Sequence, residues 1–204
     1  MKKSQVEELI LQALEHELGG VQIYTTALRC VVNTDLEKEW RTYLSETKDH
    51  VKKLEKVCAA MDIDTERQSV GREITRANGS ALVDAMEIAL DAGNLAVAQL
   101  VACDVVVLAE TKDHANWQLL SKCAERLEGE GAEALREICD EVEGQEDEHL
   151  YHSKGWCREL WIESLGMHPV LPPPEARKDV TSAIGAARAE AAAEKTRGRS
   201  QAKG

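Results

Sequence analysis

A chain of 204 residues with a net charge of −12 is long enough for one domain with a buried core and a tail. It is too acidic for nucleic acid to be its main partner, because phosphate binding needs basic surface. Ala, Leu, Glu and Lys are plentiful and Gly and Pro sparse before residue 169, a composition that favours helices, and no alternating run bounded by turn signals suggests a strand.

No apolar run is long enough to span a membrane and no signal peptide precedes the first helix, so the expectation is a cytoplasmic, all-α protein. Phenylalanine is absent, which leaves Leu, Val and the four tryptophans to fill the core. The six cysteines at 30, 58, 103, 123, 139 and 157 form no C-x-x-C pair. That excludes a rubredoxin-type or zinc-ribbon site and reads as buried, reduced thiols.

In chain order, Ser4 and Glu7 have the spacing of a capping box for a first helix to about Val32. Its expected apolar stripe is Val6, Leu9, Ile10, Ala13, Leu14, Leu18, Val21, Tyr24, Leu28 and Val31, interrupted by Glu17. Asn33-Thr34-Asp35 turns the chain into a second helix to about Met61, with the seam Leu36, Trp40, Tyr43, Thr47, His50, Leu54, Val57 and Met61. Its three- and four-residue steps mark an amphipathic helix. Residues 62–79 read as irregular because of Gly71 and Asn78-Gly79, and Ser80 as the cap of a short helix ending near Gly93. Asn94 caps a third long helix to about Glu128, whose first half, through Val101, Val105, Val106, Val107 and Leu108, is apolar nearly all round. That surface is compatible with a core or with a homodimer contact. After Gly129-Glu130-Gly131 a fourth helix follows, near residues 132–165. The bundle domain is therefore placed at residues 1–168. From Pro169 the composition turns to Ala, Lys, Arg, Glu and Ser around Pro172-Pro173-Pro174. With no large apolar face to dock, residues 169–204 are expected to form a disordered tail.

Four of these helices carry a glutamate on or beside an apolar seam: Glu17, Glu46, Glu110 and Glu146. Two add a histidine, His50 and His149. An unpaired carboxylate in an apolar seam is costly, and such groups are normally paired or bound to metal. Antiparallel hairpins place residues equidistant from the turn at one level. Glu17 and His50 are symmetric about Asn33-Thr34, and Glu110 and His149 about Gly129-Glu130. Tyr24 follows Glu17 by seven residues and Trp117 follows Glu110 by seven, so each aromatic shares its glutamate's face and can wall the site. His114 and His152 lie near the seams as groups that back the ligands. His16 and Asp113 are expected to point away. The pentapeptide Glu-Thr-Lys-Asp-His at 46–50 and 110–114 matches no hairpin duplication and is read as coincidence.

Glu146 and His149 form the inward Glu-x-x-His with which helical bundles hold two-metal carboxylate centres, and the whole ligand set resembles the ferritin-like di-iron carboxylate superfamily over roughly residues 4–165. The span from Ser45 to Glu55, with Val57 and Met61-Asp62-Ile63-Asp64, is most similar to the bacterial stress-induced ferritin-like proteins. The resemblance implies an antiparallel four-helix bundle with one long crossover that binds two iron ions, or manganese, and reacts with oxygen or peroxide. Ferroxidase activity, peroxide reduction and peroxide disproportionation are the three uses it offers. The chain departs from the pattern at Thr47, where the second helix usually carries its glutamate. Glu46 lies about a hundred degrees round the helix from that position. Three outcomes follow: a local π-bulge brings Glu46 in, Glu46 reaches in from the flank, or the half-site is degraded and a single metal binds.

Overall fold

The computed structural model describes residues 1–201, with side chains as far as residue 198, and its described residues are helical throughout their regular structure. The helices are α1 (Lys3–Cys30), α2 (Thr34–Ala60), α3 (Val70–Asp91), α4 (Leu95–Ala124), α5 (Glu130–Ser164), α6 (Pro174–Arg177) and α7 (Ala183–Gln201). The four longest after α3 is set aside form a closed ring, with α1 against α2, α2 against α5, α5 against α4 and α4 against α1. Neighbours run antiparallel. Along α2 and α5, for example, Glu39 meets Trp156, Glu46 meets His149 and Lys53 meets Glu141. No helix among the described residues is long and apolar enough to cross a membrane.

Local chemistry explains most boundaries. The Asn33 side chain accepts from the Asp35 and Leu36 amides, and Asn94 from Ala96 and Val97, which satisfies amides that have no partner within the helix. Gly129 makes the turn into α5 at φ +95°, a conformation open to glycine. Ser4 does not cap α1. The Lys2 carbonyl already accepts the Gln5 and Val6 amides, so the first turn closes before it.

The crossover also differs from its sequence reading. Helix α3 starts eleven residues earlier than expected, capped by Ser69 Oγ on the Arg72 amide, and Gly71 and Gly79 lie inside it. These glycines mark close helix approach instead of breaks. A Cβ on Gly71 would fall 2.0 Å from Gln12 Nε2, and one on Gly79 would stand 3.7 Å from the Cα of Gly19. Helix α3 runs parallel to α1, fastened by buried Arg72 and by Arg76 on Glu15.

The chain beyond Pro169, expected to be disordered, instead returns along α5 and forms α6 and α7. Alanines and ion pairs dock it in place of a large apolar face. Ala189 and Ala193 are buried, and Arg197 reaches the wholly buried Glu159, which also accepts the Val170 amide. Arg158 grips Glu175 through two nitrogens.

Apolar burial falls into two separate clusters. One gathers Ile23, Leu36, Trp40, Val106, Trp156 and Leu160, and the other Ile10, Leu14, Leu54, Trp117, Leu120 and Val142, with their neighbours. Trp40, Trp117 and Trp156 are fully buried and supply the bulk that phenylalanine would otherwise give. On α1 the buried stripe passes through Ile23, Ala27 and Cys30; Leu18 is exposed, and Val21, Leu28 and Val31 are only half-buried. On α4, Leu108 is 61% exposed, so the helix is not buried all round. Between the two clusters, at mid-height in the ring, lies a layer of charged side chains.

Candidate metal centre

Five of the predicted ligands meet in that layer: Glu17 from α1, His50 from α2, Glu110 from α4, and Glu146 and His149 from α5. None is more than 4% exposed. They form two groups, Glu17–His50–Glu146 and Glu110–Glu146–His149, each able to present ligand atoms within 4.8 Å of one another. Glu146 belongs to both. His50 Nδ1 stands 3.3 Å from Glu17 and 3.2 Å from Glu146, and His149 Nδ1 stands 3.5 Å from Glu110 and 3.7 Å from Glu146. The two imidazoles stack with centroids 5.9 Å apart.

The aromatics predicted to wall the site hold it, but crosswise. Tyr24 of α1 donates to Glu110 Oε1 of α4, and Trp117 Nε1 of α4 donates to Glu17 Oε1 of α1, each at 2.8 Å. Glu110 thus has Oε1 fixed by Tyr24 and Oε2 turned to His149, whereas Glu17 uses the same oxygen, Oε1, for Trp117 and for the approach to His50. The histidines follow the plan of Glu110. His50 Nε2 bonds Gln145 Oε1 at 3.0 Å, and His149 Nε2 bonds Glu46 Oε2 at 2.8 Å. With the Nε2 protons donated outward, both Nδ1 atoms face the centre, which is how metal-binding imidazoles are usually oriented. Gln145 also donates to Glu46.

Glu46 therefore does not enter the centre, and α2 shows no π-bulge to bring it in. Its side chain is 27% exposed and lies on the outer side of His149, outside both groups. Thr47 is buried and donates its hydroxyl to the Tyr43 carbonyl, and it brings no carboxylate charge to the centre. His114 stands off the seam, paired with Asp147 at 2.9 Å. His152 sits a turn beyond His149, with its Nδ1 between Tyr43 and Glu39, and the Tyr43 ring lies 4.1 Å from that of His149.

Asp113 and His16 depart from expectation. Asp113 is 5% exposed and faces inward, because it lies one turn after Glu110 and helical neighbours at i, i+3 share a face. His16 is half-buried with its Nε2 3.1 Å from the Ala109 carbonyl. Gln145 and Glu39 were missed altogether. Gln145 precedes Glu146 as Glu46 precedes Thr47, and Glu39 lies one turn before Tyr43, signals that spacing alone carried.

The layer concentrates polar atoms without partners. Nine buried side-chain polar atoms lack a hydrogen bond among the described residues, and six of them are Glu17 Oε2, His50 Nδ1, Glu110 Oε2, Asp113 Oδ1 and both oxygens of Glu146. Buried polar groups are normally satisfied, so this concentration at one point demands an explanation. Burial pushes the Glu146 carboxyl up to about 7, with the neighbouring Glu110 adding to the push. Burial, then the charges of Glu17, Glu146 and Glu110, drive Asp113 well above the carboxylate range. Burial works against charge on the imidazoles too, but the carboxylates of Glu146 and Glu17 outweigh it and raise His50 to about 11; Glu110 and Glu46 raise His149 to about 10. Burial, then Glu110, keeps the Tyr24 phenol protonated, as its donor role requires.

These buried Glu and His groups could hold a metal ion. Comparison with protein-family models, with curated proteins and with solved structures finds no match.

Proposed function

We propose that this is a ferritin-like protein with a dinuclear iron or manganese carboxylate centre, acting with oxygen or peroxide under metal or oxidative stress. The observation that carries the reading is the pair of buried Glu/His groups joined at Glu146, with their unpaired atoms turned inward. Two ligands each about 2.1 Å from one ion, at right-angled to tetrahedral geometry, stand roughly 3.0–3.5 Å apart. The four His Nδ1 to carboxylate distances run from 3.2 to 3.7 Å, close to that range and longer than a typical charged hydrogen bond of about 2.8 Å. Oxygen and imidazole donors without thiolate suit iron or manganese.

In this reading Glu17 and His50 would hold one ion and Glu110 and His149 the other, with Glu146, common to both groups, available to each. When bound, such ions would supply one- and two-electron chemistry with oxygen or peroxide. The chain's own residues prepare the place. Tyr24 and Trp117 pin Glu110 and Glu17, while Gln145 and Glu46 fix the imidazole tautomers. The apolar clusters on both sides exclude water, which strengthens each electrostatic contact. The six free cysteines fit a reducing, cytoplasmic setting.

The test is oxygen uptake on adding ferrous ion to the metal-free protein. The wild-type chain should consume oxygen well above the buffer rate, and Glu146→Gln should fall to that rate. Equal rates for the two would refute the reading. A second reading rests on Thr47: with one carboxylate missing from the usual set, the bundle serves as a structural or interaction protein without redox function. It predicts a folded wild-type chain with no metal-dependent oxygen uptake.

A further inference from the structure

The charge of the centre does not close with the ligands so far named. Two divalent cations carry four positive charges, whereas Glu17, Glu110 and Glu146 carry three negative ones and metal-bound imidazoles are neutral. An unbalanced charge in a water-excluded site is costly. The carboxylate that α2 would normally contribute is absent, since the Thr47 hydroxyl is committed to the Tyr43 carbonyl. Glu46 does not replace it, being held on the outer nitrogen of His149 and partly exposed.

Helix α4 carries a surplus carboxylate at the same level. Asp113 lies one turn after Glu110, is 5% exposed, and has an oxygen that no hydrogen bond reaches; it stands outside both ligand groups, so it would join the centre by turning toward a bound ion. Among the described residues no Lys, Arg or His nitrogen forms an ion pair with it. At the equivalent place after Glu17, three residues on, α1 has Gly20, whose missing Cβ would lie 3.1 Å from the Thr47 methyl. The half made of α1 and α2 therefore lacks a carboxylate where the half made of α4 and α5 has one to spare. We propose that Asp113 supplies the fourth carboxylate of the centre, standing in from α4 for the one that α2 lacks at Thr47. The centre is then charge-neutral with two divalent ions.

This rests on the dinuclear reading above, and the experiment separates the two. Manganese binding to the metal-free full chain would be titrated for wild type, Asp113→Asn, Glu146→Gln and the double variant Asp113→Asn/Thr47→Glu. Asp113→Asn should bind one ion as before and the second at least tenfold more weakly. Glu at 47, three residues before His50 as Glu146 is before His149, should restore the second ion. If Asp113→Asn binds both ions as wild type does while Glu146→Gln loses both, the role of Asp113 is refuted and the dinuclear reading stands. If Glu146→Gln also keeps both ions, or wild type binds none, both fall. Circular dichroism checks folding, and Asp113→Ser serves as a second carboxylate-free variant.

Discussion

Replacing Glu146 by Gln keeps the side chain's volume and removes the one carboxylate shared by both ligand groups, so its effect on metal-linked stability should be larger than that of any other single change. A ligand at a hundred times its dissociation constant stabilises the folded chain by about 2.7 kcal/mol per site. Two sites then contribute about 5 kcal/mol. For a chain of this length each kcal/mol moves the melting temperature by about 2–4 °C, so saturating manganese should raise the wild-type midpoint by roughly 10–20 °C. Glu146→Gln should lose nearly all of that rise. Its metal-free form should stay within about 2 kcal/mol of wild type, because two effects oppose. With its carboxyl pushed up from 4.5 to about 7, Glu146 costs folding free energy that builds as pH rises through that interval and is fully present at pH 8, a cost the amide removes. The imidazoles of His50 and His149 meanwhile lose an anionic neighbour. The assay is differential scanning fluorimetry at pH 8 with and without manganese. A variant whose midpoint still climbs as far as that of wild type would refute Glu146 as the shared ligand.

Other predictions address the surroundings of the centre. In the metal-free chain His50 and His149, raised to about 11 and 10, bind protons at pH 7 that an incoming ion must displace. Metal affinity should therefore fall as pH falls, and calorimetry in buffers of different ionisation enthalpy should detect at least two protons released; none released would contradict the inward Nδ1 assignment. Trp117→Phe or Tyr24→Phe frees an oxygen of Glu17 or Glu110 and should weaken metal binding about 10–100-fold with the helix content unchanged in circular dichroism; unaltered affinity would show that the crosswise bonds do not position the ligands. Arg197→Ala leaves the buried Glu159 with Arg158 and the Val170 amide, so the loss should be about 1–3 kcal/mol and limited proteolysis should cut more readily within α7. Unchanged cleavage would mean that the ion pair does not dock the helix.

What the sequence made legible is what periodicity controls. The α2 seam from Leu36 to Val57 is buried as its spacing requires, and the hairpin symmetry that paired Glu17 with His50 and Glu110 with His149 reflects antiparallel packing around short turns. Gly71 and Gly79 misled because glycine has two meanings, chain break or close helix contact, and only the position of α1 distinguishes them. Asp113 was expected to point away from the α4 stripe, although its three-residue step from Glu110 places it on the inner face, where it is buried. The crosswise bonds of Tyr24 and Trp117 depend on how α1 and α4 face each other, a tertiary fact that spacing along one helix does not contain. Docking of α7 escaped a search for large apolar residues because small alanines and a buried Arg–Glu pair do that work.

The central claim is tested most directly by metal content per folded chain, measured by mass spectrometry after loading with iron and, separately, with manganese and removal of excess ion. The two joined groups at Glu146 predict two equivalents per chain for the metal that belongs there. One equivalent would contradict a dinuclear centre, and none from either metal would leave the buried glutamates and histidines as an ion-paired layer in a helical core.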